Sequence, residues 1–240
     1  MPTRTERGEL PPTAGLPLHG SDLLFRGRAG LPDALARLTG HADAIITCSG
    51  TAALVVALTV LARDSIRREV VVPAYTCPLV AIAIARCGLR IRVCDSRAGH
   101  FEMDPQVLDT LVGADTLAVV PAHLGGRLAD IASVDAVAHA VGAVVIEDAA
   151  QALGARHADG TPAGGGGDIG FFSFATGKGL SIYEGGLLVA RDPARQASLR
   201  DAAKDLSPTR RPWECLRCLQ LLGYWVFYRP RGLGLAYGRP

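Results

Sequence analysis

The sequence predicts an α/β fold in which helices flank a mostly parallel sheet. Short buried apolar runs alternate with segments of helical spacing, and this alternation is typical of βαβ units. The chain has 240 residues, of which 28 are Gly and only 5% are aromatic. Small residues allow helices to pack closely against a sheet. We therefore expect one large domain, over residues 31–205.

The first half of this domain is predicted from apolar spacing and stop signals. Helical spacing from Leu31 to Leu38 ends at Gly40, a residue type that commonly terminates helices. Short apolar runs then alternate with helical segments, in the order strand 44–48, helix 52–62, strand 70–72, helix 79–87 and strand 91–94. Strands this apolar are expected to be buried on both faces.

The second half continues the alternation and then departs from it. A helix over 104–111, a strand over 117–120, a helix over 134–141 and a strand over 144–146 follow in turn. The predicted strands 169–174 and 186–190 are joined by a short glycine-containing connection, so we expect them to pair antiparallel. A helix over 193–203 follows them.

The two flanking segments lack this pattern. Residues 1–30 start rich in Pro, Gly and polar groups, and we expect an extended N-terminal arm. Residues 206–240 are an apolar tail in which Trp213 to Tyr228 is predicted to be a helix that packs on another surface. This helix is too short and too interrupted to span a membrane, for which about 20 apolar residues are needed.

Composition excludes several classes of partner. A net charge of +2 favours neither nucleic acid nor a membrane. The first ten residues contain no apolar leader, and the six cysteines are dispersed, so we expect a cytoplasmic protein without a disulfide framework. The pair Cys215 and Cys218 lacks the two further ligands of a zinc site, and we expect no metal.

The residues that carry chemistry cluster between Ile146 and Gly186. Asp148 follows an apolar strand, and Lys178 stands further on between two glycines. This pairing suits pyridoxal 5'-phosphate, which needs an amine for its aldehyde and a carboxylate for its ring nitrogen. Lys178 is one of only two lysines, with Lys204, and only an amine can make that covalent bond.

Neighbouring residues leave alternatives open. Glu147 is the rival acid, because consecutive strand residues point to opposite faces and only one of the two can face a given site. Gln151 shares a face with Asp148 if the intervening turn is helical. His123 ends a strand at the same sheet edge, where it either lines the substrate side or is an ordinary hydrogen-bonded histidine.

Phosphate binding is predicted at a strand-to-helix turn. Ser49, Gly50 and Thr51 start a helix, and the free N–H groups there either are capped by Ser49 alone or also bind phosphate. The hydroxyl of Ser173 could donate to the same phosphate. The glycine run 164–167 is not a dinucleotide fingerprint, since no strand precedes it and no helix follows.

These segments together resemble the DegT/StrS family of fold-type-I pyridoxal phosphate enzymes, which includes nucleotide-sugar aminotransferases. The resemblance runs in order through most of residues 11–200, by way of the segments 11–17, 49–54, 72–76, 123–124, 147–151, 167–174, Lys178 and 184–186. It implies the large domain of such an enzyme, with the smaller C-terminal domain missing after the start of a truncated region at 206–240.

The resemblance also implies residue roles. Lys178 would be the covalent anchor and catalytic proton carrier, and Asp148 would hold the ring nitrogen. Gln151 would contact the ring hydroxyl, while Gly50, Thr51 and Ser173 would hold the phosphate. Family active sites lie at a homodimer interface, so a homodimer is expected.

The chain departs from the family pattern at three positions. Cys77 stands where an aromatic residue usually stacks on the cofactor ring, and Tyr75 is the neighbouring residue that could replace it. Tyr75 and His123 are also our candidates for the substrate side. Ala175 stands where a histidine is common, and Gly179 where an asparagine is common.

The function expected from the resemblance is amino transfer to a keto-sugar from an amino-acid donor. Retention of Lys178 favours this reaction over that of a related dehydratase branch, which has histidine instead. The alternative is a non-catalytic, cofactor-binding or regulatory partner of a full-length relative.

Overall fold

A computed structural model describes residues 31–175, 177–178, 184–208 and 211–227. The expected N-terminal arm lies outside these ranges, and the division into arm, large domain 31–205 and tail stays a prediction. The helices are α1 (Leu31–Thr39), α2 (Gly50–Arg63), α3 (Pro78–Arg86), α4 (Pro105–Leu111), α5 (Ile131–Ala140), α6 (Pro193–Leu206) and α7 (Arg211–Phe227). The strands are β1 (Ile45–Thr47), β2 (Glu69–Pro73), β3 (Arg90–Cys94), β4 (Thr116–Val119), β5 (Val144–Asp148), β6 (Ile169–Ser173) and β7 (Gly186–Ala190).

The seven strands form one sheet in the order β1-β7-β6-β5-β4-β2-β3. Five adjacent strands of this sheet are parallel to one another, as the alternating pattern predicts: β6, β5, β4, β2 and β3. The expected antiparallel pair is confirmed, because β7 runs antiparallel to β6. β7 also runs antiparallel to β1. The first described strand in the sequence therefore lies beside the last one, at an edge of the sheet.

Helices cover both faces of the sheet, which confirms the predicted fold class. Apolar side chains of α2, α3 and α6 pack on one face, against residues such as Val70, Ala118 and Ile146. Side chains of α4 and α5 pack on the other face, against Val71 and its neighbours, and α1 covers the β6–β7 end of that face. Consecutive strand residues belong to different core clusters because side chains alternate across a strand.

Side chains cap several helices where the sequence places Ser or Asp just before them. Ser49 accepts a hydrogen bond from the N–H of Ala52, and Asp104, Asp130 and Asp192 cap α4, α5 and α6 in the same way. Each such cap contributes about 1 kcal/mol. The caps fix where the helices begin relative to the strand ends, and the strand ends carry the site.

The predicted tail helix is present as α7. Its residues Cys215 and Cys218 are free thiols, as are the other four cysteines. Arg217 forms an ion pair with Glu184 and lies over the ring of Trp213. No helix in the described part of the chain combines the length and the hydropathy that crossing a bilayer requires.

Candidate cofactor-binding site

A cavity opens at the carboxyl ends of β2, β4, β5 and β6, beside the N-terminus of α2. In open α/β sheets this edge is where ligands bind. Most of the residues predicted for the site line this cavity: Gly50, Thr51, His123, Asp148, Gln151, Ser173 and Lys178. The structure therefore brings together residues that are up to 128 positions apart in the sequence, from Gly50 to Lys178.

Asp148 is the last residue of β5, and it is a buried residue of the cavity lining. One oxygen, Oδ1, accepts a hydrogen bond of 3.0 Å from the N–H of Ala150. The group forms no ion pair with a described residue, and burial raises its pKa to about 6. A buried carboxylate in this state is stabilised by a cationic partner, which a protonated pyridine nitrogen would supply.

Glu147 points to the opposite side of β5, away from the cavity. Its two oxygens accept hydrogen bonds from the N–H groups of Gly164, Gly166 and Gly167, at 2.6, 2.8 and 3.0 Å. The Nε2 atom of His123 lies 2.6 Å from Oε1. Burial alone raises the pKa of Glu147, but these hydrogen bonds outweigh burial and lower it to about 2.

The two adjacent carboxyl groups therefore affect stability in opposite ways. The depressed pKa of Glu147 means that its contribution to stability is present above its ordinary pKa and is lost as the pH falls toward 2. The raised pKa of Asp148 means that stability is lost as the pH rises from the ordinary pKa of an aspartate to about 6, and the full cost remains above that pH. Of the two acids, Asp148 is the one whose surroundings leave it in need of a ligand.

The N-terminus of α2 provides the candidate phosphate site. Ser49 serves as the N-cap, because its Oγ accepts from Ala52 at 3.0 Å and its carbonyl accepts from Ala53 at 3.0 Å. The first two N–H groups of the helix, those of Gly50 and Thr51, have no acceptor within the helix. N–H groups of this kind, with the helix dipole behind them, favour an anion.

Close packing holds this turn against the end of the sheet. A Cβ atom on Gly50 would lie 2.8 Å from the Cβ of Ser173, and one on Gly186 would lie 2.5 to 2.6 Å from backbone atoms of Ser49 and Gly50. Glycine at both positions allows β6 and β7 to approach the turn directly. The segment Glu184-Gly185-Gly186 thus packs against the backbone of the turn that forms the candidate phosphate site.

Gln151 reaches the cavity by a route that the sequence did not indicate. Residues 150 and 151 form a turn that is not helical, so the premise of a shared helical face is wrong. The side chain is instead held by the N–H of Gly125, which donates to Oε1 at 2.9 Å. This bond leaves the amide nitrogen of Gln151 available as a donor inside the cavity.

Lys178 and Ser173 also line the cavity. Ser173 is the last residue of β6, and its Oγ lies 3.4 Å from the N–H of Ala175. Lys178 follows Gly177, whose φ of +83° favours glycine, and its charge acts on Asp148 by lowering that carboxyl's pKa. Gly179 lies outside the described residues.

His123 is the hydrogen-bonded histidine that the sequence offered as one alternative, and its role on the substrate side stays a prediction. Its ring is buried, with Nε2 bonded to Glu147 and Nδ1 accepting from the N–H of Ala129 at 2.9 Å. It is thus a fully hydrogen-bonded histidine that also lines the cavity.

Tyr75 is absent from the described cavity lining. Its side chain is 62% exposed and contacts the ring of Phe101, with centroids 5.1 Å apart. The role of Tyr75 on the substrate side stays a prediction.

Cys77 and Ala175 line the cavity at the positions where the family pattern is broken. Cys77 is the N-cap of α3, and its side chain makes no capping hydrogen bond. Cys77 is thus a small, exposed thiol at the position where the resemblance implies a ring-stacking aromatic residue.

Sequence reasoning missed the role of the glycine run. Gly164, Gly166 and Gly167 surround the carboxylate of Glu147, and His157 lies 3.3 Å from the same Oε1. A Cβ on Gly166 would lie 3.2 Å from Oε2, so a side chain there would crowd the acid. A run of glycines close after a buried strand that ends in two acids is the signal that could have suggested an anion-binding turn.

Comparison with known proteins places the chain in a family. Residues 29–213 match the model of the DegT/DnrJ/EryC1/StrS aminotransferase family, and the chain belongs to it. The chain is 33% identical over 181 residues to a GDP-perosamine synthase of Caulobacter vibrioides, a match that covers 75% of this chain and 48% of that protein. The chain thus spans about half the length of the curated relatives it matches.

Solved structures agree with this assignment. The crystal structure of DesI in the presence of its TDP-sugar product is 26% identical, with a TM-score of 0.73, and covers 90% of this chain and 61% of that one. The PLP form of the sugar aminotransferase Spr1654 from Streptococcus pneumoniae, at 20% identity and a TM-score of 0.71, covers 90% and 67% and shows the shared fold. Aminotransferases of this family depend on pyridoxal phosphate.

The residues present fit that cofactor. A buried acid that forms no ion pair with a described residue, two N–H groups at a helix start and an amine all line one cavity. These groups match the ring nitrogen, the phosphate and the aldehyde of pyridoxal phosphate respectively.

Proposed function

We propose that this chain supplies the cofactor-binding part of an aminotransferase that transfers an amino group from an amino-acid donor to a nucleotide-linked keto-sugar. The observation that carries the proposal is the convergence of Asp148, Lys178 and the α2 N-terminus on one cavity. The similarity to a GDP-perosamine synthase and to DesI, solved with its TDP-sugar product, supports a nucleotide-sugar substrate.

Each residue has a distinct task in this proposal. The N–H groups of Gly50 and Thr51, with the hydroxyl of Ser173, bind the phosphate and fix one end of the cofactor. Asp148 holds a proton on the ring nitrogen, and the amide of Gln151 orients the ring through its hydroxyl. When bound, pyridoxal phosphate acts as an electron sink for the carbon that loses its proton.

Lys178 has two tasks, and both depend on its amine. It anchors the cofactor, and its Nζ moves a proton to and from the substrate carbon. The buried carboxylate of Asp148 attracts positive charge to this cavity. His123 and Tyr75 are proposed to border the substrate.

The test uses the only two lysines of the chain. We expect borohydride reduction of the protein with pyridoxal phosphate to attach the cofactor to the peptide that contains Lys178, as found by mass spectrometry. Lys178→Arg keeps the positive charge but cannot form the bond, so its labelling should disappear. Lys204→Arg, in α6, is the matched control and should label normally. Label on Lys204, or none at all, would exclude the cofactor assignment.

A half-reaction separates catalysis from binding alone. On addition of glutamate, an active site converts bound pyridoxal phosphate to its amine form, which absorbs at a different wavelength. A protein that labels at Lys178 but never shows this change would be the non-catalytic partner instead.

We also propose that the chain forms a homodimer through an apolar patch beside the cavity. The patch consists of Tyr75, Leu79, Ile82 and Phe101, each more than half exposed. Leu79 also lines the cavity, so the patch and the cavity are continuous. A group of exposed apolar side chains next to a ligand site commonly marks an interface.

Substitution within the patch tests the dimer. Ile82→Asp should convert the dimer to a monomer in sedimentation experiments, because a carboxylate buried at the interface would lack a partner. Cofactor binding should weaken as well, because the patch adjoins the cavity. Ile66→Asp is the control. Ile66 is 93% exposed and precedes the amino end of β2, whereas the cavity lies at the carboxyl ends of the strands. A wild-type protein that sediments as a monomer at all concentrations would contradict the proposal.

A cytoplasmic location completes the proposal. Six free thiols are typical of a reducing compartment, and nucleotide-linked sugars are metabolites of the cytoplasm.

A further inference from the structure

Glu147 is the most heavily hydrogen-bonded acid next to the cavity, although it does not face it. Five donors converge on its two oxygens, three from backbone N–H groups and two from the rings of His123 and His157. Its side chain is fully buried. An anion enclosed in this way is fixed in position, because any rotation would leave several buried donors without an acceptor.

The cluster has the composition of a metal site, but its bonding is that of an anion site. His123, Glu147 and His157 offer three possible ligand atoms close together. Both oxygens of Glu147 are already occupied by N–H donors. The second nitrogen of His123 accepts a hydrogen bond from Ala129, so neither Glu147 nor His123 is left with a free ligand atom for an ion.

The tautomer of His123 follows from its two hydrogen bonds. Its Nδ1 accepts from the N–H of Ala129 and therefore carries no proton. Its proton lies on Nε2 and is donated to Glu147. The ring is thus neutral and linked at both ends, and the charge of the cluster resides on the carboxylate.

The same histidine is bonded to Asp148 through its backbone. The N–H of His123 donates to the carbonyl of Asp148 at 3.0 Å, and the N–H of Asp148 donates to the carbonyl of Pro121 at 2.9 Å. Residues 121–123 therefore hold the backbone of Asp148 on one side. The position of this segment in turn depends on the ring of His123, which Glu147 binds.

We propose that Glu147 is a positioning residue for the cofactor, which acts through His123 to hold the carboxylate of Asp148 against the ring nitrogen. This inference rests on the proposed role of Asp148. It assigns a task to an acid that touches neither cofactor nor substrate. The glycine run 164–167 then helps to position Asp148 as well, because it supplies three of the five donors that hold Glu147.

The inference is tested with Glu147→Gln. A carboxamide has nearly the same shape, but its NH2 group would face N–H donors and push some of them away. We expect the dissociation constant for pyridoxal phosphate to rise about tenfold or more, since displacing Asp148 weakens a buried charge interaction. With ¹⁵N-labelled cofactor, we expect the ring nitrogen to lose its proton at a pH about one unit lower than in the wild type.

Asp168→Asn is the matched control. Asp168 is also hydrogen-bonded to the β5 backbone, since its Oδ2 accepts from the N–H of Val145 and lies 2.9 Å from Nε2 of His139. It is located at the other end of β5, away from the cavity. This variant should lose stability yet leave both the dissociation constant and the titration of the ring nitrogen unchanged.

The outcomes separate the possible failures. If the wild type binds no cofactor at Lys178, the proposed function fails. If the wild type binds and Glu147→Gln binds equally well with the same nitrogen titration, the positioning role is overturned. Equal losses of affinity in Glu147→Gln and Asp168→Asn would also overturn it, because they would indicate a general structural effect.

A milder variant covers the case in which Glu147→Gln does not fold. His157→Leu removes the weakest of the five donors, which lies 3.3 Å from Glu147 in a partly exposed ring. Its dissociation constant for the cofactor should rise about two- to threefold, in line with the loss of one weak hydrogen bond. No change in a folded His157→Leu protein would count against the proposal.

Discussion

Asp148→Asn is expected to stabilise the cofactor-free protein and at the same time to abolish tight cofactor binding. Asparagine keeps the oxygen that accepts from Ala150 but removes a buried charge that has no ion-pair partner among the described residues. With a pKa raised to about 6, the wild-type carboxylate costs about 3 kcal/mol when ionised at pH 8. The free energy of unfolding should increase by about that amount.

The pH dependence identifies the cause of this gain. The folded-state pKa of Asp148 lies above its unfolded value, so the wild type regains stability as the pH falls through about 6. The advantage of the variant should therefore shrink to roughly half at pH 5. Denaturant unfolding of both cofactor-free proteins at pH 8 and pH 5 measures this, and a constant difference between the two would contradict the explanation.

The loss of cofactor affinity should be larger than the gain in stability. Removal of one partner of a buried charge pair costs about 3 to 5 kcal/mol, which corresponds to a rise in the dissociation constant of a hundredfold or more. Titration with pyridoxal phosphate checks this result. The wild type thus retains an acid that is unfavourable for folding because the ligand needs it.

Gly186→Ala is expected to damage the phosphate site specifically. The new Cβ would lie within 2.6 Å of backbone atoms of Ser49 and Gly50, and backbone cannot rotate away as a side chain can. The turn formed by Ser49 and Gly50 must therefore shift away from the end of β7. We expect a loss of about 1 to 3 kcal/mol in stability and at least a tenfold weaker binding of pyridoxal phosphate.

Pyridoxal without its phosphate distinguishes a local from a general effect. Because the displaced N–H groups would bind only the phosphate, affinity for pyridoxal should fall much less than affinity for pyridoxal phosphate. Gly113→Ala is the control, since a Cβ there meets no atom within 4 Å. Equal weakening of both ligands in Gly186→Ala would argue against the phosphate assignment.

The alternation of strands and helices could be predicted because it depends on local spacing. The pairing of β6 with β7 also followed from a local feature, the short connection between them. The choice of Asp148 over Glu147 came only from the family resemblance, because period-two alternation says that the two acids face opposite sides but not which one faces the cavity. That choice depends on the direction of β5 in the sheet, which distant residues determine.

Two further features depended on contacts between distant parts of the sequence. Gln151 is oriented by Gly125, and the glycine run is folded around Glu147. The contact of Gln151 with Gly125 has no spacing that a sequence pattern reveals, and the glycine run suggests an anion-binding turn without identifying Glu147 as the anion. Tyr75 was considered because of its residue type, and its exposure could be determined only once the neighbouring loop with Phe101 was placed.

The position of β1 at the edge of the sheet has a consequence for how the chain folds as it leaves the ribosome. Among the described strands, β1 pairs only with β7. Ile45 therefore cannot pair until Leu188 has been synthesised, and almost the whole domain lies between these two residues. Synthesis adds about 5 to 20 residues per second, so this pairing is delayed by many seconds. The turn at Ser49 is fixed by the arrival of Gly185 and Gly186, and nascent chains cannot hold the cofactor until that segment has emerged.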